Sequence, residues 1–171
     1  LLMGLLTMTG PLAIDMYLPA FPSIAVALDT SPGAVERTLA VYLVGMAIGQ
    51  LVYGPATDRW GRKAPLYVGL SLYALASAAC AMAASIESLT FWGVVQGLGG
   101  SAGRVVPRGV IRDHYNAQQA ARAMLMLMLV IGVAPMRAPF LGAQILTFAT
   151  WRATFALLAV TGYSLNSLSL F

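Results

Sequence analysis

Three charged side chains lie inside apolar runs of this sequence: Asp15, Arg104 and Arg137. A charge at the centre of a membrane-spanning helix costs about 2.5–3.5 kcal/mol on insertion scales, so its presence asks for a reason. A carboxyl in such a setting can exchange a proton near neutral pH, the chemistry a proton-driven carrier needs. Asp15 is the one charged side chain in the first 28 residues and is read here as a proton site; the competing reading is an interfacial cap before Pro19. Arginine keeps its proton and must find a carboxylate, backbone carbonyls or water. Arg104 stands near the end of its apolar run and is expected to snorkel toward the interface. Arg137 stands nearer the middle of its own run, with Asp15 as the obvious acidic partner.

Uncharged groups add a second layer. Tyr42, Met46, Gly49 and Tyr53 recur at helical seam spacing, with Gln50 beside them. Aromatic and methionine side chains make an adaptable apolar surface suited to loosely specified ligands, and equally to ordinary packing between helices. Gln96, in another apolar run, would prefer a cavity to lipid. The run Gly97-Leu98-Gly99-Gly100-Ser101-Ala102-Gly103 aligns with a G-x-G-x-x-A fingerprint, but no strand precedes it to make a dinucleotide site. Gly45/Gly49, Gly93/Gly97 and Gly99/Gly103 instead share the four-residue spacing that brings membrane helices close. No H-E-x-x-H, no G-x-S-x-G and no paired intramembrane acids occur, so no enzyme is expected. A single Cys (Cys80) and a single His (His114) leave no disulfide framework and no metal cluster, and no cofactor is expected.

The elements that must position these groups follow from composition. Of 171 residues, 59% are hydrophobic and only 16 are charged, and mean hydropathy is +0.79. A soluble domain of this length would carry about 43 charges, which excludes an ordinary soluble globule. A spanning helix needs roughly 20 apolar residues, so six would use ~120; a β-barrel would alternate polar and apolar residues instead. The expected fold is therefore all-α, a polytopic membrane protein with six transmembrane helices at about 1–28, 38–56, 64–84, 89–110, 122–146 and 151–171. The last is unusually polar, with Ser164, Asn166 and Ser167.

The net charge of +4 points to the lipid bilayer and not to nucleic acid, because the basic residues sit in short gaps between apolar runs. Six of them (Arg59, Arg62, Lys63, Arg108, Arg112, Arg122) fall in the second-to-third and fourth-to-fifth gaps, against Arg37 and Arg152 in the alternate gaps. That bias predicts a cytoplasmic amino terminus. Leu1 already lies in a hydrophobic segment without a charged leader, which reads as a fragment missing its natural start.

The segment Gly54-Pro55-Ala56-Thr57-Asp58-Arg59-Trp60-Gly61-Arg62-Lys63 resembles the signature loop between spans two and three of the major facilitator superfamily, roughly G-x-x-x-D-R-x-G-R-R/K. Further segments are similar to the Bcr/CflA-type drug resistance transporters: Asp15-Met16-Tyr17-Leu18-Pro19-Ala20, Gly49-Gln50-Leu51, Gln96-Gly97-Leu98-Gly99, Arg112-Asp113-His114-Tyr115 and Ala134-Pro135 with Ala138-Pro139. The resemblance extends to about Val160 and covers nearly the whole chain. It implies the amino-terminal half of a proton-coupled multidrug efflux transporter of the bacterial inner membrane, working by alternating access on small apolar drugs of bicyclomycin or chloramphenicol type. By that resemblance Asp15 is the coupling acid, and Gly54, Asp58, Arg59, Gly61, Arg62 and Lys63 form a cytoplasmic gate. Tyr17, Tyr42, Met46, Gln50 and Gln96 would line the cavity, while Gly132, Pro135, Pro139 and Gly142 make an antiporter motif. The implied partners are a drug, protons, lipid and a second six-helix half.

Departures from the family pattern are specific. Gly93 stands where the family carries an Arg tied to coupling, Arg104 and Arg137 stand where it carries none, and Pro107 replaces a small residue. They favour the alternative that this chain is a non-transporting remnant or accessory membrane protein derived from such a transporter.

Overall fold

A computed structural model describes residues 2–148 and 150–169; the side chains of residues 2, 134–139, 141, 143, 145, 147 and 148 lie outside the described set. The described residues are helical throughout, with short turns and no strand. In chain order the helices are α1 (Leu2–Tyr17), α2 (Phe21–Ala27), α3 (Pro32–Trp60), α4 (Lys63–Ala81), α5 (Ile86–Gly100), α6 (Ala102–His114), α7 (Ala117–Phe148) and α8 (Trp151–Leu168). A 3-10 turn over Leu18–Ala20 joins α1 to α2, where Pro19 and Pro22 lack the amide hydrogens an α-helical ladder would use. The first rod thus runs on to Ala27, beyond the prolines.

Local chemistry sets the helix starts. The Ser31 hydroxyl accepts from the Ala34 amide at 3.3 Å ahead of α3, with Pro32 in the first turn. The Ser85 hydroxyl accepts from the Ser88 amide at 3.2 Å ahead of α5. The Asn116 side chain accepts from the Gln119 amide at 2.9 Å ahead of α7. The expected fourth span is interrupted at Ser101, whose hydroxyl turns back to the Leu98 carbonyl at 2.7 Å just after Gly99 and Gly100. Ser101 keeps right-handed helical angles (φ −64°, ψ −28°), so α5 and α6 form one rod with a defect. Counting α1 with α2 and α5 with α6, the described residues make six rods. Three of the helical stretches, Met3–Ala27, Pro32–Trp60 and Lys63–Ala81, are long and apolar enough to cross a membrane.

Glycine spacing explains how the rods pack. α3 lies along α5, and α5 along α4. A methyl group on Gly97 would overlap the Tyr42 carbonyl of α3, and one on Gly45 would overlap the Val94 carbonyl of α5. The two backbones approach each other through these positions, so the glycine run serves helix packing. The polar last helix is also accounted for: on α8, Asn166 Nδ2 donates to Ser71 Oγ of α4 at 2.9 Å, while Ser164 and Ser167 donate to carbonyls of their own helix. The main core gathers Tyr17, Tyr42, Tyr73, Trp151 and Phe155 around the α1, α3, α4 and α8 contacts. Val26, Leu51, Val68, Leu75 and Val160 face outward, leaving the apolar surface that lipid covers.

Candidate functional site

Two groupings of polar side chains stand out, one inside the bundle and one at its basic end. The inner one surrounds a small cavity lined by Tyr17, Thr38, Tyr42, Gly93, Gln96 and Phe155, among others. Its volume of about 20 Å³ has room for roughly one water molecule. Tyr17 and Thr38 share a hydrogen bond between their hydroxyls, and Thr38 also donates to the Val35 carbonyl at 2.6 Å. Gln96 Nε2 donates to Ser77 Oγ at 2.8 Å, and the Ser77 hydroxyl donates to the Tyr73 carbonyl at 2.7 Å. Tyr42 is 4% exposed, yet its hydroxyl has no hydrogen-bond partner among the described residues.

The residues expected to line a substrate cavity are placed differently around this small one. Tyr17, Tyr42 and Gln96 line it; Met46 is buried in the adjoining core; Gln50 is exposed on the outside of α3. Gln50 lies roughly 80° around the helix from Tyr42, enough to turn it off the buried stripe. Thr38 and Ser77 were not singled out from the sequence, because a hydroxyl in an apolar run most often bonds its own helix. Gly93 is buried beside the cavity, and a methyl group there would meet only the Thr38 carbonyl, at 3.8 Å.

Asp15 sits on α1 between two of the lining residues, Ala13 and Tyr17. Two residues turn a helix by roughly 200°, so the acid points away from the inner cavity. It is half-buried, and its Oδ2 has no hydrogen-bond partner among the described residues. Its neighbour Met16 is abutted by Gly142 of α7, where an added methyl would come within 3.0 Å of the Met16 carbonyl and of Pro19. Gly132 is exposed, with nothing within 4 Å of such a methyl, so the two glycines of the expected motif occupy different surroundings. The side chains of Pro135, Arg137 and Pro139 lie outside the described residues.

The basic end is more tightly organised than its sequence implied. The segment from Gly54 to Trp60 is not a loop but the last turns of α3; only Gly61, at φ +76°, adopts the left-handed conformation that a glycine permits. The turn swings Arg62 toward α6, where Nε donates to Asp113 Oδ2 at 2.9 Å and Nη2 lies 2.7 Å from the same oxygen. Nη1 donates to Thr57 Oγ1 at 2.7 Å, and Nη2 lies 3.2 Å from Asp58 Oδ1. Arg112 flanks the two acids at 3.9 Å from Asp58 and 3.7 Å from Asp113. Hydrogen bonding from Arg62 holds the Asp113 carboxyl below the usual carboxylate range. The Thr57 hydroxyl in turn donates to the Gly54 carbonyl at 2.8 Å, and the Arg59 guanidinium lies over the Trp60 ring at 5.7 Å. Asp113 is the partner the sequence pattern left out; the signal available was an isolated acid inside a basic gap.

Architecture and site together define a helical membrane unit with few charges, a closely packed α3–α5 seam and a cluster of ion pairs at its basic end. Residues 3–165 match the family model of the Major Facilitator Superfamily. The chain belongs to that superfamily. It is 42% identical over 166 residues to the Uncharacterized MFS-type transporter YdgK of Bacillus subtilis, covering 96% of this chain and 41% of that protein. It is 37% identical to the Bicyclomycin resistance protein homolog of Haemophilus influenzae (95% of this chain, 41% of that protein). To Multidrug resistance protein D of Escherichia coli it is 34% identical (94% and 41%). The chain therefore spans about two-fifths of the length of these relatives.

Proposed function

We propose that these residues form one six-helix half of a proton-coupled multidrug efflux transporter of the bacterial inner membrane, with the amino terminus in the cytoplasm. Small apolar drugs are its substrates, and a second six-helix half completes the path. The observation that carries this reading is Asp15, a half-buried acid inside a spanning helix whose Oδ2 has no hydrogen-bond partner among the described residues. Such a group is costly to keep unless its proton is exchanged. Protonation removes the charge and changes which face of α1 can enter lipid or a closed interface, so the proton binds the two access states with different affinity. That difference is what coupling requires.

The basic-end cluster supports the same reading. Arg62 fastens the α3–α4 turn to the end of α6 through Asp113, a contact on the side where alternating access must close and reopen. The two acids, Asp58 and Asp113, are exposed, which limits the strength of their ion pairs as a reversible latch needs. The test is drug accumulation in cells stripped of their own pumps and expressing the complete transporter. Asp15→Asn should raise accumulation to the level of cells with no transporter; unchanged efflux would remove Asp15 from the coupling role.

A further inference from the structure

The basic end holds more cationic charge than its ion pairs use. A cleft of about 440 Å³ opens there between the last turns of α3, the last turns of α6 and the first turns of α7. Arg62, Arg108 and Arg112 line it, against the one carboxylate of Asp58. Arg62 is already engaged, by Asp113, Asp58 and Thr57. Arg112 is held loosely, at 3.9 Å from Asp58 and 3.7 Å from Asp113, with its side chain 72% exposed. Arg108 is exposed and makes no hydrogen bond or ion pair with any described residue. It stands one turn before Arg112 on the same face of α6, so two guanidinium groups border one cleft with little else to hold them. Between them, Gly109 keeps room for the Arg62 side chain, since a methyl group there would overlap Arg62 Nη1. Arg104, a further turn inward, neither lines the cleft nor snorkels to it: its guanidinium packs across Gly10 of α1, where a methyl group would fall 2.6 Å from Nε.

An anion with several acceptor oxygens fits this arrangement, because each arginine fork can donate two bonds to it. The first turn of α7 borders the cleft at Ala120, and the start of a helix adds positive potential. Val105 and Met124 supply an apolar wall farther from the helix ends. Basic pockets between spanning helices on the cytoplasmic side are where phospholipid head groups bind. Resting on the cytoplasmic placement of this end given above, we propose that the α3–α6–α7 cleft is a binding site for a phosphate ester, held by Arg108 and Arg112. A lipid headgroup and a soluble ester present the same phosphate chemistry. The bound phosphate draws Arg112 from Asp58 and Asp113 and leaves the bonds of Arg62 in place.

The experiment uses the complete transporter in lipid nanodiscs and two probes. Native mass spectrometry reads which lipid is retained from an equal mixture of phosphatidylglycerol and phosphatidylcholine, and calorimetry reads the binding of glycerol phosphate in phosphatidylcholine nanodiscs. The wild type should prefer phosphatidylglycerol about 25-fold, about fivefold from each arginine near the membrane surface. Arg108→Gln and Arg112→Gln should each lower the preference about fivefold, the double variant should bring it to about one, and Arg108→Lys should keep most of it. Arg122→Gln, at an exposed cation that does not line the cleft, should change nothing. An Arg108-dependent lipid preference with no binding of glycerol phosphate supports the site and assigns it to lipid; Arg108-dependent binding of glycerol phosphate supports it and admits the soluble ester. Failure of both probes to respond to Arg108→Gln, or a loss in Arg122→Gln as large as in Arg108→Gln, overturns it. If Arg112→Gln loosens the end of α6, Arg108→Gln decides, because it breaks no ion pair. Nanodiscs offer both ends of the bundle the same lipids, so the outcome does not depend on orientation, and drug efflux with its loss in Asp15→Asn tests the transport reading separately.

Discussion

Arg62 and Asp113 lie 51 residues apart in sequence and are joined by a hydrogen bond from Nε at 2.9 Å and an ion pair from Nη2 at 2.7 Å, both to one carboxylate oxygen. The pair ties a helix-to-helix turn to the far end of a different rod. Arg62→Ala should free the end of α6, and hydrogen exchange at Ile111–Tyr115 should quicken while exchange in α4 stays unchanged. Arg62→Lys should restore only part of the protection, because lysine lacks the fork that reaches Asp113, Asp58 and Thr57 together.

The same pair has a defined pH dependence. The Asp113 carboxyl is held below its ordinary value of 3.8, chiefly by hydrogen bonding from Arg62. A lowered folded-state value means the contribution is fully present above the unfolded value and is lost as pH falls through the lowered one. Protection of the α6 end should therefore hold from neutral pH to about pH 4 and decline below it. Exchange rates measured across that range check this, with Asp113→Asn as the variant that should lose the dependence.

Two buried glycines of α5 should respond in opposite ways to the same substitution. A methyl group on Gly97 overlaps the Tyr42 carbonyl, whereas one on Gly93 meets only the Thr38 carbonyl at 3.8 Å. Gly97→Ala should destabilise the protein by about 1–3 kcal/mol through overpacking. Gly93→Ala should be neutral or stabilising by up to about 1 kcal/mol, the helix-propensity difference. Thermal unfolding in detergent distinguishes them.

Tyrosine hydroxyls at the inner cavity allow a similar contrast. Tyr17 is hydrogen-bonded to Thr38, and Tyr42 has no hydrogen-bond partner among the described residues. Tyr17→Phe should cost about 0.6 kcal/mol, the mean for a hydrogen bond between membrane helices. Tyr42→Phe should leave unfolding in SDS unchanged or slightly harder, since no bond is lost.

The apolar runs and the four-residue glycine spacing were legible because lipid and close backbone approach constrain residue type directly. The polar character of α8 was legible only as an oddity until Ser71 on α4 appeared opposite Asn166. Three features were not legible at all. The defect at Ser101 depends on a hydroxyl choosing the Leu98 carbonyl, a choice sequence spacing does not encode. The segment from Gly54 to Trp60 looked like a loop because it is polar and glycine-bearing, yet one left-handed residue, Gly61, suffices to turn the chain. The orientation of Asp15 away from the inner cavity follows from α1 continuing as a helix through Pro11, which composition alone does not decide.

Proton coupling through Asp15 is the central claim, and drug uptake into proteoliposomes of the complete transporter under an imposed pH gradient tests it most directly. The account predicts that the wild type accumulates drug when the gradient is applied, and that Asp15→Asn binds the drug with unchanged affinity but accumulates none above the level without a gradient. Gradient-driven accumulation by Asp15→Asn equal to that of the wild type would contradict it.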